Sequence, residues 1–124
     1  MKRFNSFNRR VVVFSLLLVS VLWTNAALAA RRNFDFVNYS GNIISYLYIS
    51  HSGYRIWGDD ILGSGSVLVN GDSVGCWYDN DYRYFDVKVV FSSGEEAVFS
   101  RHDFRSMWRL TIFKRGSTYY IRNN

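Results

Sequence analysis

Imidazole, carboxylate and thiol are the reactive groups in this 124-residue chain, and they are few. His51 and His102 are its two histidines. Either one, beside a carboxylate and a hydroxyl such as Ser50, Ser52, Ser64 or Ser66, would supply the general base of a small hydrolase. The spacing gives that chemistry little support. Gly63-Ser64-Gly65-Ser66 lacks the G-x-S-x-G frame that exposes a nucleophilic serine, and it reads as a flexible turn. Carboxylates gather in three connections, at Asp59-Asp60, at Asp72 and at Asp79-Asn80-Asp81. Calcium takes several oxygens from such loops, which would make the domain a calcium-stabilised module. No run follows a calcium-loop signature, however, and Asp and Asn also form ordinary turns. Cys76 is the single cysteine, and with two distant histidines it makes no zinc pattern. It is either buried and inert or open to intermolecular pairing, and burial is the common state of a lone thiol. No metal site and no cofactor is expected.

The most distinctive segment runs from Tyr46 through His51-Ser52-Gly53 to Trp57-Gly58-Asp59-Asp60-Ile61-Leu62-Gly63. Two readings stand side by side. In the architectural one, Trp57 plugs one end of the core, Gly58 permits a tight backbone, and Asp60 caps a turn or accepts from backbone amides. In the functional one, Trp57, Asp59, Asp60 and His51 form a loop that binds a ligand or partner.

The elements that must hold these residues are strands. No stretch beyond residue 30 keeps a helical period, whereas short alternating runs recur between turn signals. The runs at 33–38, 43–50, 66–69, 73–78, 82–91, 96–100, 108–114 and 118–122 predict about eight antiparallel strands in an all-β sandwich. The clearest is 82–91, in which Phe85, Val87, Val89 and Phe91 face one way and Tyr84, Asp86, Lys88 and Val90 the other. Asn70-Gly71 is the strongest hairpin dipeptide. The segment 57–63 reads as an irregular loop or one helical turn, and 101–107 as a crossing connection. Proline is absent, so the sheet edges need some other protection.

The first 29 residues have the order of a cleavable signal peptide: basic Lys2, Arg3, Arg9 and Arg10, an apolar run over 11–23, then Ala27-Leu28-Ala29. The run is shorter than the ~20 residues that cross a bilayer, so no transmembrane segment is expected after cleavage. Arg31 and Arg32, just past the cleavage point, keep an uncleaved anchor open as the alternative. The expectation is a single domain over 30–124, exported to the periplasm or the medium. The formal charge of +5 then shrinks, because four of the 15 basic residues leave with the signal and 11 remain against 10 acidic ones. A near-neutral domain without a basic block excludes nucleic acid as a partner.

The ordered set Val37-Asn38, Tyr48-Ile49-Ser50-His51-Ser52, Trp57-Gly58-Asp59-Asp60-Ile61-Leu62-Gly63, Gly71-Asp72-Ser73, Phe85-Asp86-Val87-Lys88-Val89 and Ser93-Gly94 resembles a family of small secreted bacterial proteins with no established function. The likeness covers roughly Phe34 to Phe113. Members are sometimes called argininosuccinate lyase, a name that does not fit a chain this short. The family's usual proline is His51 here. The resemblance also implies a cysteine pair at positions that are Arg83 and Arg105 in this chain, so a covalent staple worth ~2–4 kcal/mol would be missing. Aromatic richness without a catalytic motif makes a non-enzymatic binding module of the envelope, for protein or glycan, the leading expectation. A small enzyme using His51 or His102 is the alternative, with the calcium-stabilised module beside it.

Overall fold

The computed structural model describes residues 31–124; the expected signal peptide over 1–29 lies outside the described residues. Seven strands form: β1 (Arg31–Tyr39), β2 (Ile44–His51), β3 (Ser73–Asp79), β4 (Tyr84–Phe91), β5 (Glu96–Asp103), β6 (Arg109–Arg115) and β7 (Thr118–Asn123). They make two sheets, β3-β1-β6-β7 and β2-β4-β5, packed as a small β-sandwich. No helix of the described residues is long and apolar enough to cross a membrane.

The period-2 pattern of β4 holds throughout. Phe85, Val87, Val89 and Phe91 are buried and their neighbours are half-buried. They meet Phe34, Phe36, Leu110 and Ile112 of the opposite sheet, with Ile44 and Leu47 beside them in their own. Cys76 lies in the same core at 4% exposure, the buried one of its two expected states. Asn38 is fully buried, yet its amide is well served: Nδ2 donates to the Asn42 and Leu68 carbonyls, and Oδ1 accepts from the Ser40 amide and hydroxyl.

Three expectations need correction. The run 66–69 is not a strand, because Leu68 makes only an isolated bridge to Ile44. Asn70-Gly71 therefore joins no hairpin. Its turn is stitched sideways instead: Asn70 Oδ1 accepts from the Gly41 amide and the Gly71 amide donates to the Asn38 carbonyl. The strands are not all antiparallel, since β1 runs parallel to β6. Finally, β5 extends to Asp103, further than alternation alone indicated.

The long connection 52–72 runs along the free edge of β2. The Leu47 amide donates to the Asp60 carboxylate, the Leu47 carbonyl accepts from the Ile61 amide, and Ile44 exchanges both backbone bonds with Leu68. A covered edge offers no template for another chain, which here does the work of a proline. At the opposite edge of the same sheet, where β5 ends, Arg83 donates to the Asp103 carboxylate at 3.0 Å and Arg105 lies 3.9 Å from it. The Phe104 amide also donates to the Arg83 carbonyl. The segments around Arg83 and Arg105 are thus neighbours, joined through Asp103.

Candidate functional site

Asp60 is committed to architecture. Its Oδ1 accepts from the Leu47 amide at 2.9 Å and the Leu62 amide at 3.1 Å, which pins the loop to β2 and drops Leu62 into the core. Asp59, next to it, is exposed. Trp57 does not plug the core. It is half-buried and outside the buried cluster, because the loop passes over the edge of β2 and sets the indole against Tyr48 at 6.4 Å between centroids. Lys88 reaches up from β4 with Nζ 5.6 Å from the Tyr48 ring and 6.0 Å from the Trp57 ring. Desolvation, and then the charge of Asp60, pushes the Tyr48 phenol above its ordinary value.

His51 closes β2 and leads into the loop. Its ring stacks flat on Tyr82, with centroids 4.0 Å apart and planes 4° from parallel, and Tyr54 leans on it at 4.9 Å. These rings edge a cleft of about 360 Å³ where the ends of β2 and β3 meet the loop. Ile49, Ile61, Tyr78 and Phe85 line its apolar side, and Tyr78 is fixed there by a 2.6 Å hydrogen bond to the Phe104 carbonyl. Tyr54, Ile56 and Tyr82 stand on the rim, exposed by 54%, 64% and 44%. Trp57 and Trp77 complete the aromatic wall, and Ser50, His51 and Asp79 supply polar groups.

Of the four residues singled out from the sequence, His51 and Trp57 share this cleft, while Asp59 and Asp60 stay outside its lining. Tyr54, Tyr82 and Trp77 were not foreseen as site residues. The signal for two of them was present, since Tyr54 follows the Ser52-Gly53 turn and Tyr82 follows the Asp79-Asn80-Asp81 turn. An aromatic next to a polar turn has no strand to carry it inward.

His51 and His102 both pair with Phe85 across β4, one from each side, but their contacts differ. His102 Nε2 bonds the side-chain Oδ1 of Asn123, and Asn123 Nδ2 in turn donates to the Asp103 backbone carbonyl. Ser52 donates to Asp86, which also accepts from the Arg101 amide. No hydroxyl–imidazole–carboxylate chain links these groups among the described residues. No group of three or more His, Cys, Asp or Glu side chains that could hold a metal ion gathers among the described residues. Compared with known proteins, the chain matches no family model, no curated protein and no solved structure.

Proposed function

We propose that this chain is an exported, non-enzymatic binding module of the cell envelope and that the cleft beside His51 takes a glycan. The observation that carries the reading is the group of aromatic side chains lining that cleft, from exposed Tyr54 and Tyr82 to half-buried Trp57, set among a few polar groups. A sugar ring presents an apolar C–H face with slight positive charge, which suits the negative face of an aromatic ring. Its hydroxyls need a small number of placed partners, and Ser50, His51 and Asp79 stand where such partners belong. Neither Lys nor Arg lines the cleft, which argues for a neutral polyol over a phosphate or a nucleic acid. The volume is at the small end of the ~300–1,000 Å³ usual for ligand sites, enough for a short saccharide.

Isothermal titration of the mature protein with chitobiose, cellobiose and their hexaoses tests the reading. Saturable binding that Tyr54→Ala and Tyr82→Ala weaken by about tenfold or more supports it, since truncating an aromatic anchor typically costs upward of ~1 kcal/mol. Both variants should melt within ~0.5 kcal/mol of wild type, as exposed positions do. Absence of binding to all four saccharides overturns the glycan reading. Mass spectrometry of protein recovered from the envelope or medium checks export, with a mature start at Ala30, give or take about two residues, as the expected result.

A further inference from the structure

A second depression, of about 330 Å³, lies on the outer face of the four-stranded sheet between Trp77 and Trp108. Strand register builds its floor. Asn33 sits opposite Trp77, and Asp35 sits between Gly75 on one side and Arg109 on the other. Gly75 is in the middle of β3 with a φ outside the left-handed region, so its backbone does not require glycine. A Cβ added there would meet nothing within 4 Å. The missing side chain is therefore what opens the trough. A glycine inside a strand weakens it, and commonly marks a place where a ligand or another backbone comes close.

The trough walls are braced. The Arg31 guanidinium sits 4.4 Å from the Trp77 ring centroid and that of Arg109 sits 4.8 Å from the Trp108 centroid. Each guanidinium lies over one face of its indole, and neither arginine lines the trough. Rings held in this way lose little freedom when a ligand arrives. Between them lie the Asn33 amide and the Asp35 carboxylate, both exposed and both suited to hydroxyl groups. Trp77 borders this trough and also the cleft beside His51.

We infer that the Gly75 trough is a second sugar subsite and that the ligand is a linear β-1,4-linked oligosaccharide running from the His51 cleft past Trp77 to Trp108. The inference rests on the glycan reading of the cleft and extends it from a short saccharide to a chain. A β-1,4-linked chain of pyranoses is a straight, flat ribbon with C–H faces on both sides. Such a ribbon can pass beside one indole and engage depressions on both sides of it. The two subsites then act together, and chain length sets affinity.

The experiment compares hexaose with disaccharide in wild type and in Gly75→Val, using chitin and cellulose oligosaccharides and isothermal titration. Valine suits a strand and has open space at this position, so the variant should fold and melt at or above the wild-type temperature. Wild type is expected to bind a hexaose more than about tenfold tighter than its disaccharide. Gly75→Val should reduce hexaose affinity to the disaccharide level and leave the disaccharide unchanged. Trp108→Ala, at a side chain 56% exposed, should do the same without loss of fold. Equal affinities for hexaose and disaccharide in wild type, or wild-type hexaose binding by Gly75→Val, would overturn the second subsite and leave the cleft reading intact. Failure of every saccharide to bind wild type would overturn both.

Discussion

Two groups of aromatic side chains, almost adjacent in sequence, behave as opposites. Tyr78 packs edge-on against Phe34, Phe85 and Phe104, with centroids 5.3 to 5.8 Å apart, and its hydroxyl is bound to a buried carbonyl. Burial pushes its phenol up. Tyr82, four positions on, lies past the end of β3 and stacks on His51 at the protein's surface. Phe85 joins the groups, edge-on to Tyr82 at 6.4 Å and stacked on Phe104 at 4.6 Å. Residue type is thus a poor guide to role. An aromatic that strand alternation points inward becomes core, provided its polar atom finds a partner. One delivered by a turn stays available to a ligand.

The contrast is broken most severely on the interior side. Val87→Asp puts a carboxylate at a fully buried position of β4 without a partner, and the variant should fail to fold at room temperature. Lys88→Thr, one residue along and facing outward, should remain folded, and circular dichroism melts of the pair check the register. Phe104→Ala empties the middle of the buried knot and should cost ~3–5 kcal/mol by urea denaturation, as large-to-small aromatic changes do.

Asp60→Ala and Trp57→Ala sharpen the comparison where loop meets sheet. Losing the Asp60 carboxylate strands two amides, with an expected cost of ~1–3 kcal/mol. Trp57→Ala should cost less, about 1 kcal/mol, because the indole packs on a half-buried outer face and not in the core. This order reverses the one implied by an indole plugging the core, and a larger loss for Trp57→Ala by chemical denaturation would restore that role. The smallest effect is electrostatic. The Arg105 amide, and then the Arg83 guanidinium, hold the Asp103 carboxyl below its ordinary value. A carboxyl lowered on folding stabilises the protein above the unfolded value of ~3.9, and that contribution is lost as pH falls through the lower folded value. Carbon-13 titration should find Asp103 below that reference in wild type and shifted upward in Arg83→Met.

Much of the architecture was readable in one dimension. The alternation of Phe85, Val87, Val89 and Phe91 depends only on the two-residue period of an extended chain, so it survives whatever the strand pairs with. The bond from the Leu62 amide to Asp60 was equally local, since a short carboxylate next to a turn has backbone amides within reach, whereas the bond from Leu47 on β2 needed the tertiary fold. The run 66–69 has strand composition but meets β2 through a single bridge, a fact its own residues do not contain. The same is true of the parallel pairing of β1 with β6, whose strands are far apart in the chain. Both depressions belong to this second class. Trp77 shares the His51 cleft with residues of β2 from the other sheet, and it shares the trough with Trp108 because β1 lies between β3 and β6. Alternation records which face of a strand is buried. Strand order, set by contacts between distant segments, decides which exposed rings share a surface.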